Sequence, residues 1–333
     1  MDTKFSNTQA WLNKTVFITG GLGFIGTTLG LRLARLGAKI KILDPMYKDG
    51  GAVPRHYEEL KSHATVFIGD HRDTTALEEC TSGADVVFNL AGKTDHLGSM
   101  ALPESDLGSN VSSHLALLSA CHRNCPKARV VYTSTRQVYG KPLSIPVSES
   151  HLTDPLDING IHKFAGEMYH RLYHRVYGLQ TTILRLTNVL GPRMRIKDHS
   201  QNFLGCWILA ALQNDPIPVW GGEQVRDILD VEDCVDALLL AGCHPSAPGE
   251  TFNVGSPVGF RLVDIAERLI AAQQSGRVQI MEYPNQRKPI EIGNFTTDNC
   301  KMTQTLGWTP HITLEQSLQR CLTFYRDHRA DYA

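Results

Sequence analysis

The chain has 333 residues, enough for one large domain or two modest ones, and its 42% apolar and 20% charged content is that of an ordinary globular protein. A formal net charge of −1 without a basic block argues against a general nucleic-acid surface, and no apolar run approaches the roughly 20 residues that span a bilayer. The polar stretch 1–14 lacks the apolar core of a signal peptide; the eight cysteines are scattered, with only Cys121 and Cys125 close, so free thiols in a cytoplasmic protein without a metal site are expected.

The first clear element is the β-branched run Val16-Phe17-Ile18, which enters Thr19-Gly20-Gly21-Leu22-Gly23-Phe24-Ile25-Gly26 and leaves through an amphipathic stretch carrying Leu29, Leu33 and Leu36. Strand, glycine turn and helix in that order form a dinucleotide-binding pattern. Gly20, Gly23 and Gly26 permit a sharp turn, close approach of a pyrophosphate to the backbone, and tight packing of helix on strand. The free N–H groups of the helix start then attract phosphate. A second strand, 38–43, ends at Asp44, 18 residues past Gly26. An acid there can accept hydrogen bonds from an adenosine ribose diol and would repel a 2′-phosphate, which favours NAD over NADP.

Further strands are expected at 65–68, 84–90, 128–133 and 181–186, alternating with helical patterns over 73–81, 106–122 and 160–177. This alternation predicts an α/β fold, a Rossmann-type doubly wound parallel sheet whose ligands collect where the strands end in small or polar residues. Beyond Gly191-Pro192 the rhythm changes, with helices expected over 201–213, 231–242, 261–273 and 313–326 among short strands. The expected division is a dinucleotide-binding domain over 1–190 and a smaller α+β substrate lobe over 191–333, with 232–256 able to return to the first domain.

The motifs, taken in order, resemble the extended short-chain dehydrogenase/reductases, and within them the NAD-dependent nucleotide-sugar epimerases and dehydratases. The resemblance runs from about Lys14 to about Leu322. It rests on the glycine loop, Gly69-Asp70-His71-Arg72-Asp73, Asn89-Leu90-Ala91-Gly92, Tyr132-Thr133-Ser134-Thr135 with Val138-Tyr139-Gly140, and Arg185-Leu186-Thr187-Asn188-Val189-Leu190-Gly191-Pro192. It continues through Ile217-Pro218-Val219-Trp220-Gly221-Gly222, Arg226-Asp227, Val231-Glu232-Asp233 and Phe252-Asn253-Val254-Gly255. It implies NAD held by Gly20, Gly23, Phe24, Ile25 and Gly26, with Asp44 at the ribose and Asp70 and His71 beside the adenine. Leu90, Ala91 and Gly92 would run along the cofactor, and Lys163 would bond the nicotinamide ribose. It further implies a nucleoside-diphosphate sugar in the second lobe, bound by Lys93, Asn188, Arg226 and Arg287, the arginines acting as charge-assisted donors to the diphosphate. Taken alone, either arginine reads as a solvated surface residue.

The sequence departs from the family at one position. The family's acid/base is a tyrosine one helical turn before the lysine, its phenol pKa lowered from about 10 by that lysine and the nicotinamide charge. In Asn159-Gly160-Ile161-His162-Lys163 that position is Asn159, and an amide cannot exchange the proton. The accompanying hydroxyl residue is matched by Thr135. Three readings stand: a tyrosine elsewhere serves, the chain binds its ligands without chemistry, or another group has taken over. For the last, Lys163 with a pKa lowered by burial, His162, Asp95 and His96 are the candidates. Two positions after Thr135 are informative as well. Sugar 4,6-dehydratases of this family place Asp-Glu there and decarboxylases often a glutamate in the second, whereas this chain has Arg136-Gln137. Elimination and decarboxylation are therefore disfavoured, and epimerisation by reversible hydride transfer leads. Relatives pair two long helices into a homodimer. Here these would be 106–122 and 160–177, whose Leu115, Leu118, Met168, Leu172 and Val176 suit either that interface or packing on the sheet.

Overall fold

The computed structural model of the chain describes residues 8–47, 50–197 and 203–332. Its strands are β1 (Thr15–Thr19), β2 (Lys39–Asp44), β3 (Ala64–Ile68), β4 (Val86–Asn89), β5 (Arg129–Thr135), β6 (Gln180–Leu186), β7 (Asn188–Leu190), β8 (Ile217–Trp220), β9 (Val225–Asp230), β10 (Thr251–Val254), β11 (Gly259–Arg261) and β12 (Val278–Met281). Seven of them form a parallel sheet in the order β10-β6-β5-β4-β1-β2-β3. β1 shows how the sheet is covered on both sides. Val16 and Ile18 enter the core shared with Leu29 and Leu33 of the helix Phe24–Arg35, while Phe17 enters the opposite core with Leu117, Leu118 and Tyr173. Each such fully buried aliphatic side chain contributes about 1.5–3 kcal/mol of transfer free energy. The helices Phe24–Arg35 and Val231–Cys243 cover one face; Thr74–Thr81, Ser113–Asn124 and Ile158–Tyr177 cover the other. The expected doubly wound parallel sheet is thus observed.

β10 comes back to the sheet from beyond the second lobe and pairs with β6 in the register Thr251↔Ile183 to Val254↔Leu186. The second lobe holds a three-stranded sheet, β11-β9-β7, and the pair β12-β8. Its core packs the helices Phe203–Gln213, Leu262–Gln273 and Leu314–Tyr332 around Trp207, Ile265, Leu318 and Tyr325. The helix expected over 201–213 is observed from Phe203; positions 201 and 202 lie outside the described residues. The run expected as one helix over 106–122 is broken into Pro103–Leu107, a π-helical turn Gly108–Ser112, and Ser113–Asn124. Among the described residues no helix is long and apolar enough to cross a membrane.

The helix Ile158–Tyr177 is delimited by its ends. Asp157 Oδ1 accepts a hydrogen bond from the Gly160 amide at 2.6 Å, and Gly178 closes it in the left-handed conformation. Its middle is fixed by a fully buried carboxylate, Glu167. Arg185 of β6 donates to both Glu167 oxygens at 2.8 and 2.6 Å, and the Ser134 hydroxyl of β5 donates at 2.6 Å. Replacing Glu167 by alanine leaves Arg185 charged and unpaired in the core. We expect a loss of about 3–5 kcal/mol in folding free energy, read from denaturant titration. A change below about 1 kcal/mol, the size of an exposed pair, would show that the network does not hold the helix.

Candidate active site

The glycine loop is shaped by lack of space. Gly20 has φ +67°, and a Cβ there would lie 2.9 Å from the Ala91 nitrogen; a Cβ on Gly26 would stand 2.4 Å from the Gly20 carbonyl oxygen. The helix starting at Phe24 follows Gly23 without any side-chain cap, so its first amides face the loop unoccupied by a side chain. Asp44 is buried at the end of β2, where Oδ2 accepts from the Leu22 amide at 3.0 Å and Oδ1 from the Met46 amide at 2.9 Å. Burial raises its pKa, and the facing His71, itself pushed down by burial, partly offsets this. Asp70 is half-buried and held by Arg72 at 2.6 and 2.8 Å and by the Tyr47 hydroxyl at 2.9 Å, and the Arg72 contact takes its carboxyl well below the usual range.

Lys163 lies under the β4 loop. A Cβ on Gly92 would stand 2.7 Å from its Nζ and 2.5 Å from Asn110 Oδ1, so the ammonium and the Asn110 carbonyl flank one backbone position. Nζ is 3.4 Å from the Thr133 carbonyl and 5.4 Å from the Tyr132 ring centroid, a geometry that favours the cation. Burial nevertheless lowers its pKa to about 8, the Asp106 carboxylate opposing the shift. Below it, Tyr132 stacks on His170 at 4.3 Å, and Asn89 Nδ2 reaches His114 at 3.1 Å and His170 at 3.3 Å.

Asn159 is fully committed on its donor side. Nδ2 donates to the Lys93 carbonyl at 2.8 Å and to Asp106 Oδ2 at 3.1 Å, while its backbone N–H donates to the Ser99 hydroxyl at 3.2 Å. The other oxygen of Asp106, itself buried, meets His162 Nδ1 at 2.7 Å. The amide therefore joins the helix Ile158–Tyr177 to a buried carboxylate. Lys93 turns its ammonium outward to the Ser105 hydroxyl at 2.8 Å. Thr135 ends β5, its hydroxyl accepting from the Gln137 amide at 3.2 Å.

Between the sheet's C-terminal edge and the second lobe runs a cleft lined by Asp95, His96, Asn188, Arg226 and Arg287, which brings together five of the residues expected at the site, while Lys163, Asn159 and His162 are not on its walls. Arg226 donates to Glu291 and to the carbonyls of Val225 and Gly293; Tyr283 donates to Glu291 as well. Arg287 lies over Trp220 at 4.9 Å. Arg136, Gln137, Trp220, Tyr283 and Glu291 also line the cleft, without having been expected there from the sequence. Arg136 and Gln137 were legible only as the absence of two carboxylates; Trp220 lies in the matched run 217–222 without an assigned role, and Tyr283 and Glu291 come from a segment without a motif of its own. Three buried atoms on these walls, Arg136 Nε, Gln137 Oε1 and Asn188 Nδ2, have no partner among the described residues. Such atoms are costly unless a ligand or water meets them. Arg136 is lowered to about 10 by burial and by the neighbouring Arg226.

Elsewhere, donor atoms of Asp233, Asp236 and His311 lie within 4.8 Å of one another, but Arg32 already meets Asp236 at 2.6 Å and two backbone amides meet Asp233 at 3.0 and 3.2 Å.

Residues 16–255 match the sequence model of the NAD dependent epimerase/dehydratase family. A UDP-glucose 4-epimerase of Mycolicibacterium smegmatis is 30% identical over 318 residues, covering 93% of this chain and 98% of that one. A dTDP-glucose 4,6-dehydratase of Streptomyces niveus is 25% identical over 329 residues, covering 95% and 94%. Among solved structures, a UDP-glucose 4-epimerase of Thermotoga maritima with UDP-glucose superposes with a TM-score of 0.86 at 26% identity, covering 95% of this chain and 99% of that one. The glycine cradle, the uncapped helix start and the Lys163–Gly92 contact fit the cofactor those matches imply. The chain is a member of the NAD-dependent epimerase/dehydratase family, within the extended short-chain dehydrogenase/reductases, with NAD as its cofactor.

Proposed function

We propose that this chain epimerises a nucleoside-diphosphate sugar by transient oxidation of a ring hydroxyl, with a group other than a phenol handling the proton. The observation that carries the reading is the cleft itself. Arg226, Arg287 and Arg136 provide cationic donors for a diphosphate, and Arg136 and Gln137 stand where elimination would need carboxylates. NAD supplies reversible hydride acceptance and is regenerated within each turnover. The glycine loop and the uncapped helix start would hold its pyrophosphate and Asp44 its adenosine ribose, with Asp70 and His71 at the adenine edge. Lys163, mostly protonated at neutral pH, would donate to the nicotinamide ribose, with Leu90, Ala91 and Gly92 alongside. Asn188, Arg226 and Arg287 would bind the substrate diphosphate, and Thr135 the reacting sugar.

Purified protein should carry NAD(H) and convert one member of a nucleoside-diphosphate-sugar panel to its epimer without net NADH, as resolved by chromatography. Accumulating NADH would make it a dehydrogenase, and tight binding without turnover of any panel member would make it an inactive relative. Lys163→Ala should abolish turnover, whereas Asn159→Ala should leave a measurable part, because the amide's contacts are to the protein. The sign of the pH effect at Lys163 follows from its form: the ammonium is the donor, so kcat should fall as pH rises through about 8.

We also infer a homodimer. Leu115, Met168, Leu172 and Val176 are 37%, 47%, 37% and 60% exposed on the paired helices, whereas Leu118, expected to serve either role, is wholly inside the subunit core. Light scattering should give twice the chain mass, and the double change Met168→Glu, Val176→Glu should give a folded monomer.

A further inference from the structure

We propose that His96, held by the buried carboxylate of Asp157, takes and returns the sugar-hydroxyl proton in place of the family's phenol. The proposal rests on the epimerase reading above and names its missing acid/base.

The candidates separate by where their polar atoms point. Asn159 donates to Lys93 and Asp106, and His162 meets the same Asp106, off the cleft wall. Lys163 is 5% exposed beneath Gly92 and faces the Thr133 carbonyl. Asp95 lines the cleft, but its Oδ1 caps the following helix at the Gly98 amide at 2.9 Å, and it has no charged or imidazole partner of its own among the described residues. His96 differs. It lines the cleft with 32% of its side chain exposed, its Nδ1 lies at ion-pair distance, 2.9 Å, from Asp157 Oδ2 without hydrogen-bond alignment, and its Nε2 has no partner among the described residues. Asp157 is 2% exposed and cannot swing, because its other oxygen caps the helix that carries Asn159 and Lys163. Burial opposes ionisation of Asp157, but the His96 contact and the Gly160 amide outweigh it and hold the carboxyl below its usual range.

The Asp157 carboxylate beside Nδ1 favours the proton on that nitrogen by charge attraction and leaves Nε2 as the ring's acceptor toward the cleft. Gln137 extends the arrangement: its Nε2 reaches the same Asp157 oxygen at 3.3 Å and its amide the Thr135 hydroxyl at 3.2 Å, so the expected hydroxyl residue and the imidazole are tied to one support. In the forward step the sugar O–H bond breaks and its proton passes to His96 Nε2. NAD, when bound, would accept the hydride of the same carbon with its electron pair, so that the carbon becomes a ketone. The return step reverses both transfers on the opposite face of the ring, and His96 gives its proton back to the oxygen.

The test compares His96→Asn, Asp157→Asn and His162→Asn in the full-length protein with the panel substrate the parent turns over. We expect His96→Asn to lose about 10²–10⁴-fold in kcat, with NAD affinity and the affinity for UDP or TDP, whichever the parent binds, unchanged by calorimetry. Free imidazole should restore part of the activity of His96→Ala. Asp157→Asn keeps a capping oxygen and should lower kcat by a smaller factor at unchanged KM, as a positioning residue. Parental turnover in His96→Asn, or its loss in His162→Asn but not in His96→Asn, overturns the proposal and leaves the epimerase reading standing. If His96→Asn also loses nucleotide binding, absence of imidazole rescue overturns it. A parent that turns over no panel member overturns the epimerase reading and this proposal together.

Discussion

The buried contact between Glu167 and Arg185 is the constraint from which the site takes its dimensions. Two parallel charge-assisted hydrogen bonds and the Ser134 hydroxyl leave the carboxylate no alternative placement, so the helix Ile158–Tyr177 cannot rotate or slide relative to β5 and β6. A buried ion pair adds little net stability over an apolar packing of equal volume, but it is intolerant of misregister, because a shifted partner leaves a bare charge in the core. The network goes on beyond the pair. Arg185 lies over the Tyr139 ring at 4.7 Å, the Tyr139 hydroxyl donates to Asn253 at 2.6 Å, and Asn253 donates to the Val147 carbonyl at 2.9 Å. Strands β5, β6 and β10, the long helix and the segment leading to it are thereby set by one chain of polar contacts. Lys163 and Asn159 lie one and two turns before Glu167 on that helix, and Asp157 just ahead of them.

Asn159 stands where the family resemblance places a tyrosine, and its surroundings give the amide a part of its own at Asp106. A buried carboxylate needs donors, and Asn159 and His162, three residues apart on one helix face, supply two. A phenol could donate only one hydrogen bond, whereas the amide serves both Asp106 and the Lys93 carbonyl. Asn159 is thus a bracket between the long helix and the segment 93–106. On the other wall, Arg226 is neutralised by Glu291, whose ionisation burial opposes and Arg226 favours. A diphosphate bound as proposed would have to share that guanidinium, at a cost to binding, whereas Arg136 Nε has no partner among the described residues.

Much of the fold was legible because parallel strands buried on both faces read as short apolar runs, and because the glycine loop fixes where the first helix begins. What escaped were pieces whose form depends on distant partners. The helix Pro54–Leu60 carries His56, whose ring nitrogens bond the Leu22 carbonyl at 2.7 Å and the Tyr332 hydroxyl at 3.0 Å, contacts no local period announces. The π-helical turn at Gly108–Ser112 adds a residue to what reads as one amphipathic helix. At the site, the glycine and arginine positions followed from motif order, but the contact between His96 and Asp157 joins segments some 60 residues apart with no spacing rule to relate them. Asp157 alone reads as a helix cap, which it also is.

The return of β10 to the edge of the main sheet has a consequence for synthesis of the chain. Six of the seven strands lie before Thr187, yet the edge of β6 stays unpaired until Thr251–Val254 has emerged, after much of the second lobe has been made. For that interval a growing chain presents an open parallel edge with Ile183, Leu184, Arg185 and Leu186 unpaired on that side, the kind of surface that recruits foreign strands. Arg185 is the residue that Glu167 already holds by then, so the ion pair that sets the register also places a charge on the strand that waits longest for its neighbour.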